Sequence, residues 1–356
     1  MKAIILVGGE GTRLRPLTLH RLKTMVPMAG RPFMEYQLHL LKTHGVREVV
    51  LSICHMPGLI RRAFGTGSRY GMKFHYAAET TPLGTAGAIK NAEKFADVSR
   101  EPVVVLNGDV LTDINLTQML AQHRRRRARV SIALTLVSDP SAYGLVKQDA
   151  QHRILSFVEK PSSDEGQSPW VNAGVYLFDP GAFAHIPAGK PYSAERGLFP
   201  DLLAKGERVW GFTNRDYWMD IGTIDRYWQA HMDILEERMF LLPTGKVWKR
   251  NRRIRLGQTC TLHTSAHLSP GTVIGDRCRI EREARLGELL VLGNRVRVGA
   301  QAVLERSVIW DDVTIGEGAR LNGCVVASGS TIGRFAHIRP GTVLGEKSVV
   351  PDYSRI

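Results

Sequence analysis

The stretch MKAIILVGGEGTRLRPLTLHRLKTMVPMAGRPFMEY (Met1–Tyr36) decides how the chain begins. Ala3 to Val7 is an uninterrupted apolar run rich in Ile and Val, which predicts a buried strand. It runs straight into Gly8-Gly9-Glu10-Gly11-Thr12, where glycines let the backbone bend sharply and bring bare N–H groups against an anion. Arg13 and Lys23 follow, two cations within reach of that turn, and the set predicts a polyphosphate ligand. No Gly-Lys-Ser/Thr follows, so the turn is not a Walker loop. Leu14 stands where a dinucleotide fingerprint needs its third glycine.

Outward from this turn the chain alternates two patterns. Glu48–Ile53, KFHYAA, PVVVLN, RVSIALTLV, RILSFV and VNAGVYLF are β-branched and apolar, and read as strands. Between them a helix opens at Pro32 and closes at Gly45, and others run over Gly84–Phe95, Leu116–Arg126 and Ile224–Arg238. Such alternation predicts an α/β domain over residues 1–240, Rossmann-like, with a mostly parallel sheet and ligands at the carboxyl ends of its strands. From Leu256 the period becomes six: Leu256, Leu262, Leu268, Ile274, Ile280, Leu286, Leu292, Val298 and Leu304. The phase slips by one near Trp310, resumes at Ile315 and Leu321, slips again and continues at Ile332, Ile338 and Leu344. No α-helix has that period, whereas a triangular coil of ~18 residues per turn does. Residues 256–356 are therefore expected to form a left-handed parallel β-helix, with 241–255 a basic linker or a first rung.

Bulk properties exclude several classes. No apolar run reaches membrane-spanning length, and the N-terminus has neither a basic region nor a cleavage site, so a cytoplasmic protein is expected, with no membrane partner. The four cysteines, Cys54, Cys260, Cys278 and Cys324, have no zinc or CxxC spacing and read as small buried hydrophobes. The net charge of +14 suits polyphosphate substrates. Its excess sits in His123–Arg129, at the end of a predicted helix, and in Lys246–Arg255; neither interleaves aromatics, so both are read as solvated surface and no nucleic acid is expected. None of the twelve histidines forms a metal pair at helical spacing; His263 and His267 lie in the six-residue repeat.

The ordered set GGEGTRLRPLT, Lys23, Pro27 and RPFMEY resembles the signature of the sugar-nucleotide pyrophosphorylases, the sugar-1-phosphate nucleotidyltransferases. That family usually has Pro-Lys where this chain has Leu22-Lys23, a change that removes a stiffening ring and no charge. PLGTAG (Pro82–Gly87), VEKP, NAGVY, WMDIGT and the hexapeptide tail extend the resemblance over nearly the whole chain, and look most like mannose-1-phosphate guanylyltransferases. The resemblance implies attack by a sugar-1-phosphate oxygen on the α-phosphorus of an NTP, with release of pyrophosphate. Such a reaction needs alignment and charge neutralisation, and no general base, because the nucleophile is already an anion. Mg²⁺ is the implied cofactor.

Roles follow residue by residue. Asp109 ends an apolar strand after Asn107-Gly108, and Asp220 ends YWMD before a helix start; both match the family's metal positions. Asp113 and Asp225 read better as helix-start residues. Arg13 and Lys23 are the expected triphosphate contacts, the planar fork of arginine suiting bridging oxygens. Leu6, Gly8, Gly9, Gly11, Thr12, Glu79, Pro82, Gly84, Thr85 and Gly108 complete the expected nucleotide site. Tyr143, Gly144, Glu159, Lys160, Asn172 and Gly174 are expected on the sugar-phosphate side, Lys160 serving catalysis as a cation.

The same motifs occur in dTTP- and UTP-using glucose-1-phosphate relatives and would admit a heptose or cyclitol phosphate. FAHIRPGT (Phe335–Thr342) resembles rungs of bifunctional acetyltransferases, but the chain reaches Ile356 without their further coils and histidine. A non-catalytic regulatory subunit would carry damaged phosphate or metal residues, and Arg13, Lys23, Asp109 and Asp220 are present. A homo-oligomer, dimer or tetramer, is expected because the open ends of a β-helix are sheet edges.

Overall fold

The computed structural model describes residues 1–95, 97–137, 139–140, 143–159, 169–239, 246–248 and 251–356. Its first half alternates as the patterning predicts: β1 (Lys2–Val7), α1 (Phe33–Thr43), β2 (Glu48–Ile53), α2 (Pro57–Phe64), β3 (Lys73–Ala78), α3 (Gly84–Ala92), β4 (Val103–Asn107), α4 (Leu116–Arg126). Then come β5 (Val130–Leu136), β6 (Gly144–Gln148), β7 (Ile154–Glu159), β8 (Trp170–Phe178), α5 (Phe199–Ala204), β9 (Val209–Thr213), β10 (Trp218–Asp220) and α6 (Ile224–Leu235). Local signals set the helix ends. Asn115 caps α4 by accepting the Gln118 N–H, Thr223 caps α6 by accepting that of Arg226, and Gly45 closes α1 at φ +80°.

One sheet takes the order β7-β6-β8-β4-β1-β2-β3, with β5 joined to β8 and β9 to β5. The strands β4, β1, β2 and β3 are parallel. β4 is buried from Val103 to Leu106, as a strand covered on both faces must be. β8 joins β4 antiparallel through Val175–Phe178, and its register against β5 shifts between Asn172 and Tyr176, where Gly174 takes φ +67°. α3 packs on β1 and β2, and α4 on β5, β8 and β9. The core beneath holds Tyr176, Phe178, Phe183 and Phe199, with ring centroids 5.4 Å (Tyr176–Phe199) and 6.0 Å (Phe178–Phe183) apart. Each fully buried ring contributes roughly 1.5–3 kcal/mol.

The second half is a three-sided parallel β-helix. Leu262, Ile280, Val298, Ile315, Ile332 and Val350 stack in register along one face. Leu268, Leu286, Leu304, Leu321 and Ile338 stack along the second, and Ile274, Leu292, Ile309, Val326 and Leu344 along the third. The two phase slips therefore fall at one corner, between Leu304 and Ile309 and between Leu321 and Val326, where two successive coils are each one residue shorter. Glycine follows the inward aliphatic because the coils stack too closely for a side chain: a Cβ on Gly275 would lie 2.6 Å from the Gly293 carbonyl carbon. The basic stretch supplies the first rung: Asn251–Leu256 pairs antiparallel with Lys246–Trp248 and parallel with Thr272–Ile274.

The described residues form two compact units, one of Met1–Glu10 with Tyr36–Trp218, the other of Gly11–Glu35 with Met219–Ile356. All four cysteines are free; burial pushes the Cys278 thiol up to about 12 and Cys324 to about 11. The Arg-rich end of α4 is only partly the solvated surface expected: His123 is buried against Ser131, Arg126 stacks on Trp210, and Arg129 pairs with Asp179 and Glu207. His263 and His267 are exposed on the solenoid. Among the described residues no helix is long and apolar enough to cross a membrane.

Candidate active site

In the first unit the candidate residues gather where β1 and β4 end side by side. Leu6 and Asn107 are register partners, and the Gly108 N–H donates to the Leu6 carbonyl at 2.9 Å. Gln37 of α1, 3% exposed, donates through Nε2 to the carbonyls of Asn107 (2.8 Å) and Val110 (3.0 Å). It thereby grips both ends of the turn that carries Asp109. A Cβ on Gly174 would lie 2.8 Å from Asn107 Nδ2 and 2.9 Å from Val110, so β8 packs directly beneath the same turn. Gly174 is thus a buttress of the Asp109 turn. Gln37 escaped the motif reading because an amide inside a helix carries no local signature.

The PLGTAG turn is equally committed. The Glu79 carboxylate accepts from the Leu83 N–H (3.0 Å) and Ser52 Oγ (3.2 Å), fixing the approach to exposed Pro82 and Gly84. A Cβ on Gly84 or Gly87 would meet the carbonyl of Tyr192 or Lys190, each at 2.9 Å. Thr85 Oγ1 donates to Glu195 at 2.7 Å and accepts the Ala194 N–H at 2.7 Å, so this hydroxyl holds the fold. Glu195 also accepts from Ser193 Oγ (3.0 Å) and Tyr176 (3.4 Å), and Asn172 Nδ2 donates to the Tyr176 hydroxyl (2.8 Å). Asn172 Oδ1 accepts the Gly174 N–H at 3.0 Å. One polar chain therefore links Thr85, expected on the nucleotide side, to Asn172, expected on the sugar side. Tyr176 and Glu195, which connect them, were not anticipated from the sequence.

Of the residues expected on the sugar-phosphate side, Gly144 and Glu159 are cross-strand partners in β6 and β7. Tyr143 sets its ring edge-on to Trp218, 5.5 Å between centroids, and Trp218 Nε1 donates to the Ala173 carbonyl at 2.8 Å. Lys160 and the side chain of Glu159 lie outside the described residues.

In the second unit Gly11 adopts φ +67° ahead of the 3-10 turn Thr12–Leu14. A Cβ there would lie 3.1 Å from Lys23 Cβ and 3.2 Å from Thr18 Cγ2, and Thr18 Oγ1 donates to the Gly11 carbonyl at 2.7 Å. Lys23 is 9% exposed, so it is not a solvated loop lysine. Leu22 takes φ −67°, the angle a proline would impose, and is buried. The departure from Pro-Lys thus keeps the backbone and replaces a ring by apolar packing.

Arg13 is exposed and Asp220 half-buried; both lie against Gly222. A Cβ on Gly222 would stand 3.0 Å from Arg13 Nη2 and 3.0 Å from each Asp220 oxygen. Arg226, on the first turns of α6, reaches Asp220 Oδ2 at 3.0 Å. Asp220 thus pairs with Arg226, a residue the motif reading did not identify. Asp225 sits exposed in the first turn of α6, as expected.

Asp109, in the first unit, and Asp220, in the second, each carry hard oxygen donors of the kind a divalent cation takes. Among the described residues no three His, Cys, Asp or Glu side chains cluster as an all-protein metal cage. A lone carboxylate of this kind fits a cation carried in with a polyphosphate.

A family model described as nucleotidyl transferase matches residues 2–237, and one described as the EIF2B subunit epsilon LbH domain matches residues 250–356. The mannose-1-phosphate guanylyltransferase catalytic subunit beta of Drosophila pseudoobscura pseudoobscura is 36% identical over 358 residues, covering 99% of this chain and 90% of that protein. A UTP–glucose-1-phosphate uridylyltransferase of Synechocystis sp. is 36% identical over 251 residues, 67% of this chain and 64% of that one. The crystal structure of HddC from Yersinia pseudotuberculosis complexed with GMP-PN aligns at TM-score 0.55 and 28% identity, over 64% of this chain and 97% of its own. The glycine turn, Asp109, Asp220 and the solenoid all fall within these matches. This chain belongs to the nucleotidyl transferase family, as a sugar-1-phosphate nucleotidyltransferase with a C-terminal left-handed β-helix.

Proposed function

We propose that the chain condenses GTP with mannose-1-phosphate to give GDP-mannose and pyrophosphate, with Mg²⁺ as the divalent cation. One observation carries the choice of substrates: likeness to a mannose-1-phosphate guanylyltransferase extends over 99% of the chain, whereas an equally identical uridylyltransferase matches 67%. The complete set of Arg13, Lys23, Asp109 and Asp220 supports a catalytic chain over a regulatory one.

Each residue then has a physical task. The Gly8–Gly11 backbone lies against the triphosphate, where side chains would obstruct it. Arg13 and Lys23 neutralise the β- and γ-phosphates and the charge that grows on departing pyrophosphate. The base rests on the Pro82–Gly84 turn, whose shape Glu79 and Thr85 maintain. Tyr143, Gly144, Glu159, Asn172 and Gly174 form the sugar side, and Lys160 meets the sugar phosphate. That phosphate oxygen attacks the α-phosphorus in line and pyrophosphate leaves, so rate comes from alignment and electrostatics. Asp109 and Asp220 would hold Mg²⁺, which would supply charge neutralisation for the two polyanions.

We further infer a cytoplasmic homo-oligomer that uses neither nucleic acid nor membrane. Val349 (74%) and Tyr353 (67%) are exposed at the last coil, where strand edges are open, and a mass above the monomer by light scattering is expected. A monomeric mass at micromolar protein contradicts it. The functional test is pyrophosphate release from GTP and mannose-1-phosphate with Mg²⁺. Asp109→Asn and Asp220→Asn should each abolish turnover while the melting temperature stays near wild type. Near-normal turnover in either variant rejects the metal assignment.

A further inference from the structure

The segment Gly11–Glu35, which carries Arg13 and Lys23, forms one compact unit with the solenoid, and three contacts tie them together. Trp310, 1% exposed, follows the inward-facing Ile309 and turns its indole away from the solenoid core. Its N–H donates to the Tyr227 hydroxyl at 2.9 Å, and Tyr227, fully buried, donates in turn to the Pro27 carbonyl. Arg21 lays its guanidinium 5.2 Å from the centre of the Trp310 ring and reaches Glu346 at 3.1 Å. Pro16 rests on Gly345, where a Cβ would lie 3.2 Å from Pro16 Cβ.

These contacts bracket Lys23, at Pro16 and Arg21 before it and Pro27 after it. The segment itself has little regular structure: 3-10 turns at Thr12–Leu14 and Lys23–Met25, and the two-residue strands Pro27–Met28 and Arg31–Pro32. Its hydrogen bonds close short local turns, so the placement of those turns relative to one another draws on what the segment packs on. Apolar packing alone would bury the same area. A buried indole N–H and phenol, each with a partner, add direction and distance.

We propose that the solenoid is a positioning element for the triphosphate: Trp310 and Glu346 act through Tyr227, Pro27 and Arg21 to hold the turn that presents Lys23 and Arg13. The inference rests on the reading above that those two cations contact the NTP. It assigns the C-terminal half a part in substrate binding beside any part in assembly. Trp310, Glu346, Tyr227 and Arg21 are positioning residues, since none touches the reacting atoms.

The test uses the full chain, with GTP and mannose-1-phosphate as probes. Arg21→Gln, Glu346→Gln and Trp310→Phe should each raise KM for GTP about fivefold, the net worth of one such bond, and leave KM for mannose-1-phosphate unchanged. Calorimetric binding of GTP should weaken by the same factor. The reversed pair Arg21→Glu with Glu346→Arg should recover most of the loss that either single change produces. Trp310→Phe alone risks the fold; the Arg21–Glu346 pair, 31% and 20% exposed, does not. Lys23→Gln separates the two layers of the argument. If it weakens GTP binding while the Arg21, Glu346 and Trp310 variants do not, the positioning role is overturned and the cation's role stands. If Lys23→Gln has no effect, the triphosphate reading falls and the inference with it. Equal rises in both KM values with a lowered melting temperature would reduce the contacts to general stability, and overturn the inference too.

Discussion

Replacing Gly222 by alanine adds one methyl group at a place where the structure leaves no room. Its Cβ would stand 3.0 Å from Arg13 Nη2 and from both oxygens of Asp220, tighter than ordinary contact by a few tenths of an ångström. Gly222 does not use a left-handed backbone, so alanine brings no backbone strain and the whole effect lies in that contact. Arg13 is exposed and can swing aside. Asp220 is held on its other side by Arg226 at 3.0 Å, so its carboxylate must shift or surrender that pair. A misplacement near 1 Å costs about 100-fold in rate, so a few tenths should cost about tenfold, roughly 1.4 kcal/mol of transition-state stabilisation. Steady-state turnover with a Mg²⁺ titration is the assay. Turnover should fall about tenfold and half-saturation by Mg²⁺ should move upward, with a nearly unchanged melting temperature. Turnover within twofold of wild type at an unchanged Mg²⁺ requirement would refute the placement of Gly222 beside the reacting groups.

Gly174→Ala should destabilise the chain by about 2–4 kcal/mol in urea unfolding, combining an unfavourable left-handed alanine with a 2.8 Å clash on Asn107; a loss under about 0.5 kcal/mol would contradict the buttress role. Acid should weaken the fold already between pH 7.5 and 5. Burial holds His123 and His231 down to about 4, below the ordinary value of 6.5, so the unfolded chain binds more protons. The stability these two give is complete above pH 6.5 and is lost as pH falls toward 4, at about 2 kcal/mol for each histidine between pH 7.5 and 5. Equal unfolding free energies at those two pH values would exclude it.

The parts of this molecule that were legible in its sequence are those governed by neighbours along the chain. β2 and β3 and helix α4 fall on their predicted residues, because apolar runs, an Asn cap and a basic end are local signals. Strand direction was not legible: VNAGVYLF is apolar on both faces whether it runs parallel or antiparallel, and only its pairing with β4 and β5 decides. The six-residue repeat revealed the solenoid and both one-residue slips, but only the strand pairing shows that they share one corner, at Ile309 and Val326. For the site, motifs single out the glycines, Arg13 and both aspartates as candidates. They could not find Gln37, Glu195 or Arg226, whose partners lie on other elements. Nor does a motif say how a hydroxyl is used: Thr85 reads as a ligand contact, yet its oxygen is engaged by Glu195 and Ala194.

The most direct measurement is pyrophosphate release with Mg²⁺ over a matrix of the four NTPs against mannose-, glucose-, heptose- and cyclitol-phosphates. One dominant cell is expected, GTP with mannose-1-phosphate, and it should be lost in Asp109→Asn and Asp220→Asn. A dominant cell elsewhere would contradict the substrates, and no release anywhere would contradict the catalytic claim itself.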